Sequence, residues 1–269
     1  MLDKSVLENY FISWRSGQQS KRINKSNGYL VTLRSISVDQ SISILRAEIV
    51  EVGKRLYDRG YIASNDGNVS VRLDDDSVII TPTGISKGFM KPEDLIIIDM
   101  NGNLLEGKGL PSSESHMHIG VYKDRPDVKS VCHAHPPYAT GFAVAGIPLD
   151  KMALPEVIIS LGTVPVVEYG ETGTTELYQS ISKYVRDYDA LLLANHGALT
   201  VGNSVLNAYH KMETLEHAAE IRFIAQQLGR VNTLTEKQVA QLISQREKWG
   251  IRKDVGLRQS KKSKRRSKR

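Results

Sequence analysis

The chain has 269 residues, 40% of them hydrophobic and 25% charged, with a net charge of +6 and a single cysteine. This composition is ordinary for a globular protein of one large or two small domains, and no segment approaches the run of about 18 apolar residues that a transmembrane helix needs. We expect a cytoplasmic protein, because the N-terminus lacks the apolar core of a secretory signal and Cys132 has no partner for an internal disulfide.

The N-terminal part of the chain shows little periodicity. Residues 1–38 are rich in Ser, Asn and Lys and predict a poorly ordered extension, with at most a short helix over Ser5–Trp14. Between Ile42 and Leu56, apolar residues recur at spacings of three and four, which predicts an amphipathic helix that ends at Gly60. We expect one domain over residues 39–257.

Short strands and helices follow in mixed order. The predicted strands are Asn68–Leu73, Val78–Thr81, Leu95–Asp99, Leu104–Leu105, Val128–His135, Thr163–Val167 and Ala190–Ala194. The predicted helices are Pro111–Tyr122, Tyr138–Ala145, Thr174–Val185, Leu206–Leu228 and Thr235–Gln245. Ser112 or Ser113 is expected to cap the first of these helices. Hairpin turns between neighbouring strands, with helices interleaved, predict an α/β fold with a mixed sheet covered by helices.

The positive charge is concentrated at the C-terminus. Seven of the ten residues 260–269 are lysine or arginine and none is acidic, so the rest of the chain has a net charge of −1. We expect a disordered, solvated tail over residues 258–269. Binding of nucleic acid or of an anionic membrane is the alternative, but no aromatic residue interleaves the charges and neither partner is predicted.

Two histidine motifs follow apolar strands. His133 and His135 are two residues apart on a strand, so their imidazoles project from the same face and can reach one metal ion. His196 ends a second strand and is followed by Gly197, which leaves room for a close approach. Three neutral imidazoles with one open position are typical of a catalytic Zn²⁺ site. Cys132 points to the opposite face and is interpreted as a small core residue.

A second pair of histidines is interpreted differently. His116 and His118 lie on a predicted helix, where a separation of two residues turns side chains roughly 200° apart and prevents them from sharing a metal. We therefore interpret His116 as solvated. His118 is interpreted either as a packed histidine or as one that contacts site residues without binding the metal itself. His210 and His217, on the long helix, are interpreted as ordinary helix residues.

Three segments have the residues that a phosphate group needs, which are small side chains, hydroxyls or amides, and exposed backbone N–H groups. They are Asn65–Asn68, Thr81–Gly84 and Ser112–Ser113. Each segment alone is also explained as a turn. Glu114, directly after Ser113, is either a capping or a catalytic carboxylate.

Taken in order, these motifs resemble the class II aldolase/adducin family. The matching segments are Gly67–Ser70, Ile80–Gly84, Leu110–Glu114, His133–His135, Asn195–Gly197 and Lys248–Arg252, and the match covers about Ile42–Arg252. The resemblance implies a three-layer α/β/α domain with a central, largely antiparallel sheet. It also implies a homotetramer with active sites at the subunit interfaces.

The resemblance further implies the roles of individual residues. Zn²⁺ would be bound by His133, His135 and His196, and Glu114 would move a proton and also touch the metal in the resting site. A sugar phosphate would be held by Asn68, Thr83, Gly84, Ser112 and Ser113. The implied reaction is cleavage of a ketose 1-phosphate, such as L-fuculose 1-phosphate or 5-deoxy-ribulose 1-phosphate, to dihydroxyacetone phosphate and an aldehyde.

Two departures from the family pattern concern the aldehyde end of the substrate. Family aldolases have a tyrosine that acts at the aldehyde oxygen, and Glu156 stands at the matching position here. Trp249 stands where a second tyrosine is found. Two other functions stay open: dehydration of methylthioribulose 1-phosphate, and a non-catalytic adducin-like scaffold, although the scaffold members lack the metal-binding histidines that this chain has.

Overall fold

The computed structural model of the protein describes residues 29–252 and 254–257. The chain divides into two units after Gln40, and every predicted site residue lies in the second unit, residues 41–269. The predicted short helix over Ser5–Trp14 and the predicted tail over 258–269 lie outside the described residues. The predicted domain boundaries therefore stay predictions.

The described residues form seven helices and eight strands. The helices are α1 (Tyr29–Asp58), α2 (Ser115–Asp124), α3 (Pro137–Val144), α4 (Pro155–Ser160), α5 (Thr175–Ser182), α6 (Val205–Gln227) and α7 (Glu236–Ile243). The strands are β1 (Asn68–Arg72), β2 (Ser77–Ile80), β3 (Ile96–Asp99), β4 (Leu104–Glu106), β5 (Ser130–Ala134), β6 (Val166–Val167), β7 (Ala190–Leu193) and β8 (Gly197–Gly202). Helix α1 begins well before the predicted start at Ile42. None of the described helices is long and apolar enough to cross a membrane.

All eight strands belong to one sheet, in the order β4-β3-β2-β1-β5-β8-β7-β6. Every neighbouring pair is antiparallel except β6 and β7, which are parallel. The predicted α/β fold with a largely antiparallel sheet is therefore confirmed. The neighbouring strands β5 and β8 are those that carry or adjoin the predicted metal-binding histidines.

The sheet separates two hydrophobic clusters, which makes the fold three-layered. On one face, Cys132 and Ala134 of β5 pack with apolar side chains of α1, α3 and α6. On the other face, Val131 packs with apolar side chains of α2 and α5. This alternation along β5 confirms that Cys132 is a buried core residue, and it turns His133 toward the face that α2 covers.

Helix α4 and strand β8 escaped prediction, and strand β6 keeps only two of its five predicted residues. Helix α4 is only six residues long and begins with Pro155, so it has too few turns to show helical periodicity. Strand β8 follows His196 after a tight turn and contains glycine at both ends. Strand β6 is limited to Val166–Val167, because Thr163 bonds to the carbonyl of Gly256 instead of a neighbouring strand.

Candidate active site

The candidate site lies where the end of β5 meets the start of β8. The antiparallel register pairs Ala134 with Ala198, so residues just after β5 face residues just before β8. Asn195 has a φ of 56°, in the left-handed region, and turns the chain so that His196 faces back toward β5. Gly197 is required here, since an added Cβ would lie 2.5 Å from the His135 ring.

This turn brings the three predicted metal-binding histidines together. One nitrogen from each of His133, His135 and His196 lies within 4.8 Å of the other two. The ring centroids are 4.7 to 5.1 Å apart. His133 is completely buried, whereas His135 and His196 are partly exposed. The cluster is therefore reachable from one side and closed on the other.

The donor set fits a borderline divalent cation. His133 Nδ1 donates to the Ala198 carbonyl at 2.9 Å, which leaves its Nε2 as an acceptor facing the cluster. Burial lowers the pKa of His133 to about 3, and burial with the nearby His196 also lowers the pKa of His135. His196 Nδ1 is buried and has no hydrogen-bond partner among the described residues. Neutral imidazoles with free nitrogens are the ligands that Zn²⁺ takes from histidine.

Glu114 lies against this cluster. Its Oε1 is 3.1 Å from His196 Nε2, and its Oε2 is 3.3 Å from His133 Nε2. The prediction that Ser112 or Ser113 caps helix α2 is wrong: Glu114 itself occupies the cap position. Its carboxylate makes no capping bond and points to the imidazoles, while the Ser112 hydroxyl accepts from the Glu114 N–H at 3.3 Å.

The surroundings of Glu114 keep it ionised. Burial acts to raise the pKa of its carboxyl, but the attraction of His133 and hydrogen bonds from His196 and Asn68 outweigh that effect. The pKa of Glu114 therefore lies below its ordinary value. Asn68 Nδ2 makes the shortest of these contacts, 2.6 Å from Glu114 Oε2. An ionised carboxylate held beside a cation site can accept and return a proton.

The predicted phosphate-binding segments meet on the same side. A β-bridge pairs Pro82 with Pro111, and the Thr83 N–H donates to the Leu110 carbonyl at 3.1 Å. The segment that ends at Gly84 therefore lies beside the one that contains Ser112. Of the predicted residues, Asn68 is buried, and its Nδ2 donates to the Ser112 hydroxyl at 3.3 Å. Thr83, Gly84 and Ser113 are exposed.

The other histidines are placed as predicted. His116 is exposed on α2, and His118 is completely buried, with its ring bonded to Asn68 and Ser70. His210 and His217 are exposed on α6.

Two charged residues near the cluster were not predicted. Asp66 Oδ2 lies 3.8 Å from His135 Nδ1. Lys87 is buried, and its ammonium donates to the Asn65 carbonyl at 2.5 Å. Burial lowers the pKa of Lys87, while Asp66 and Glu114 act to raise it. Nothing in the local sequence around Lys87 distinguishes it from an exposed loop lysine.

Glu156 and Trp249 are not part of the histidine cluster of the same chain. Glu156 is exposed on the first turn of α4, and its carboxylate has no hydrogen bond or ion pair among the described residues. Trp249 is 70% exposed in the short 3₁₀ helix Arg246–Trp249.

Fold, site and comparisons together place the protein among the metal-dependent aldolases, a class of carbon–carbon lyases. More narrowly, the chain belongs to the class II aldolase and adducin family. The sequence model of the family, described as "Class II Aldolase and Adducin N-terminal domain", matches residues 47–223.

Individual relatives share this family but differ in their named substrates. The L-fuculose phosphate aldolase of Methanococcus maripaludis is 37% identical over 181 residues, which cover 67% of this chain and 97% of that protein. The 3-oxo-tetronate 4-phosphate decarboxylase of Haemophilus influenzae is 35% identical over 198 residues, 72% of this chain and 93% of that one. A solved structure of an L-fuculose 1-phosphate aldolase superposes with a TM-score of 0.70 at 34% identity, covering 77% of this chain and 96% of its own.

Proposed function

We propose that the protein is a Zn²⁺-dependent aldolase that cleaves a ketose 1-phosphate to dihydroxyacetone phosphate and an aldehyde. The observation that carries the proposal is the cluster of His133, His135 and His196 with the Glu114 carboxylate against two of the three imidazoles. The L-fuculose phosphate aldolases among its relatives support the choice of substrate class.

His133, His135 and His196 would hold one Zn²⁺ per chain, although three imidazoles also accept other divalent metals. When bound, the cation supplies Lewis-acid stabilisation of negative charge on the substrate oxygens. The buried Nδ1–H of His133 on the Ala198 carbonyl fixes one ligand ring in place before any metal arrives.

Glu114 would move the proton at carbon. Cleavage of the C3–C4 bond leaves its electron pair on C3 of the dihydroxyacetone phosphate half, while the C4 hydroxyl loses its proton to water and becomes the aldehyde. Glu114 takes up a proton from water and delivers it to C3, and in the synthetic direction it removes that proton and returns it to water. The Asn68 amide, at 2.6 Å, holds the carboxylate in position for both directions.

The phosphate would bind at the paired loops beside Glu114. The residues proposed to hold it are Asn68, Thr83, Gly84, Ser112 and Ser113. The exposure of Thr83 and Ser113 supports this assignment, because their hydroxyls lie at the surface where they can face a ligand.

We also propose that the enzyme is a homotetramer whose active sites lie at subunit interfaces. Glu156 and Trp249 would then complete the site of a neighbouring subunit, at the aldehyde end of the substrate. Their exposure in the single chain supports this arrangement, since a 70% exposed tryptophan is more stable when it is covered by a partner.

Decarboxylation of a 3-oxo acid phosphate is a second candidate. Loss of CO₂ next to a carbonyl leaves the same kind of carbanion as aldol cleavage, so the metal site and Glu114 would serve both reactions. Glu156 favours this candidate, because departing CO₂ needs no proton carrier at that end of the substrate, whereas aldol chemistry needs one at the aldehyde oxygen and the family tyrosine is absent there. The Haemophilus influenzae relative is named for such a reaction.

The experiment is a substrate panel assayed for dihydroxyacetone phosphate with glycerol-3-phosphate dehydrogenase and NADH. The panel contains L-fuculose 1-phosphate, 5-deoxy-ribulose 1-phosphate, methylthioribulose 1-phosphate and 3-oxo-tetronate 4-phosphate. We expect NADH consumption with a ketose 1-phosphate, and none with a His135→Ala control.

Turnover of only the 3-oxo acid would favour the decarboxylase. Water loss from methylthioribulose 1-phosphate, without the triose phosphate, would establish a dehydratase. No turnover at all would leave the adducin-like scaffold.

A further inference from the structure

A continuous row of buried hydrogen bonds runs from Glu114 into the protein interior. Asn68 Nδ2 lies 2.6 Å from Glu114 Oε2, and Asn68 Oδ1 lies 2.5 Å from His118 Nε2. On the other side of the ring, His118 Nδ1 is 2.7 Å from Ser70 Oγ, which is 2.7 Å from the Tyr122 hydroxyl. All five side chains are buried.

The Glu114 carboxylate at the start of this row determines which atom donates in each of its hydrogen bonds. An ionised carboxylate can only accept, so the Asn68 amide presents its NH₂ to Glu114 and its carbonyl oxygen to His118. His118 must therefore carry its proton on Nε2 and accept at Nδ1. The single Ser70 proton goes to that Nδ1, and the Tyr122 hydroxyl donates to Ser70. Burial lowers the pKa of His118 to about 4, which agrees with a neutral ring.

We propose that His118 is a positioning residue: held as the Nε2–H tautomer by Ser70, it fixes the Asn68 amide with its NH₂ group toward Glu114 and Ser112. Without the His118 donor, the buried carbonyl oxygen of Asn68 would have no partner, and only the contacts of its NH₂ group with Glu114 and Ser112 would still hold the amide. The amide would then shift to satisfy its oxygen, and Glu114 would lose part of the support that keeps it beside His133 and His196. The catalytic consequence rests on the proposed function of Glu114; the tautomer and the amide orientation do not.

The sheet supplies a matched control. Ser70 of β1 and Ser130 of β5 are both completely buried strand serines. The Ser130 hydroxyl donates to the Ser70 carbonyl at 2.7 Å and takes no part in the row that leads to Glu114. Ser70→Ala and Ser130→Ala therefore each remove one buried hydroxyl. The first loses the hydrogen bonds to His118 and Tyr122, the second loses the one bond to the Ser70 carbonyl, and only the first removes the group that sets the His118 tautomer.

The first measurement is ¹⁵N NMR of labelled histidine and asparagine in the Zn²⁺-loaded full-length protein without substrate. We expect a protonated-type Nε2 resonance and an unprotonated-type Nδ1 resonance for His118 at neutral pH, and an Asn68 side-chain NH₂ protected from hydrogen exchange. Ser70→Ala should mix the tautomers and reduce the Asn68 protection, and Ser130→Ala should do neither. An Nδ1–H or doubly protonated His118 in the wild type, or equal effects of the two variants, would overturn the proposal.

The second measurement compares turnover. We expect Ser70→Ala to lose about tenfold in kcat/KM, because that factor corresponds to the free energy of one hydrogen bond. Ser130→Ala should stay within about twofold of the wild type. His118→Gln, which keeps a donor toward Asn68, should retain more activity than His118→Leu at a similar melting temperature. If the NMR result is as expected but no panel substrate is turned over, the proposed function fails while the positioning role stands.

Discussion

Glu114 Oε1 lies 3.1 Å from Nε2 of His196, although the two residues are far apart in sequence and belong to different elements of the fold. A carboxylate in that position would contact a cation bound by the histidines and would transfer a proton to or from a substrate carbon bound beside it. The position follows from the helix start, because Glu114 sits at the cap of α2 and its side chain turns away from the helix. The chemistry proposed for the protein depends on this contact more than on any other.

Glu114→Gln should lower kcat by about 10² to 10⁴, the usual contribution of a positioned acid or base. The amide has the same shape, so the fold and the metal content should be unchanged. Steady-state kinetics together with metal analysis of the purified variant checks both statements. A variant with near-normal turnover would show that Glu114 has no part in proton transfer.

Metal binding should stabilise the wild type and depend on the histidines. Adding Zn²⁺ to chelator-treated protein should raise its melting temperature, because a ligand that binds only the folded state stabilises it. His135→Ala is the suitable variant, since the His135 side chain is 27% exposed and its loss leaves no large internal cavity. The variant should show a much smaller rise. Equal rises in the two proteins would indicate that the metal binds elsewhere.

The buried His118 should make the protein less stable as the pH falls. Its pKa is about 4 in the folded protein against an ordinary 6.5, so the unfolded state binds more protons between these values. The free energy of unfolding therefore falls as the pH drops from about 6.5 toward 4, by up to about 3 kcal/mol from this residue.

His118→Gln should flatten that dependence, whatever its stability at pH 7. Urea unfolding of wild type and variant at pH 7 and pH 5, both in chelator, measures the difference. His210→Gln, an exposed histidine on α6, is the control and should keep the slope of the wild type. The account of His118 would be wrong if both variants had the same slope.

The sequence alone was sufficient to predict that His133, His135 and His196 lie together, and to predict much of the fold. The spacing of His133 and His135 on a strand is a local pattern with a period of two, and a strand also precedes His196. The contact between Asn68 and His118 could not be predicted, because it requires β1 to pair with β5 and α2 to pack on that face. The buried position of Lys87 likewise depends on residues distant in sequence. Local patterns thus identified the clustered histidines, and tertiary packing determined which residues hold Glu114.

Glu156→Gln should cost less activity than Glu114→Gln. The substitution keeps the shape and removes only the ionisable group, and an exposed carboxylate that has no bonded partner among residues 29–252 and 254–257 is not held as a proton donor. We expect Glu156 to orient substrate or support the interface. The comparison needs kcat/KM profiles against pH and the oligomeric state of each variant. An equal loss with a shifted pH optimum and an intact tetramer would make Glu156 a proton carrier.

The most direct test of the central claim needs no knowledge of the aldehyde. If the metal cluster and Glu114 together make and quench a carbanion next to a carbonyl, the enzyme should exchange one C3 hydrogen of dihydroxyacetone phosphate with deuterium from D₂O, without any second substrate. Proton NMR of dihydroxyacetone phosphate incubated with the Zn²⁺-loaded enzyme measures this exchange. The account predicts that the C3 proton signal falls to about half its intensity with the wild type, and changes little or not at all with Glu114→Gln or after chelation. Absence of exchange with the metal-loaded wild type, or undiminished exchange with Glu114→Gln, would contradict it.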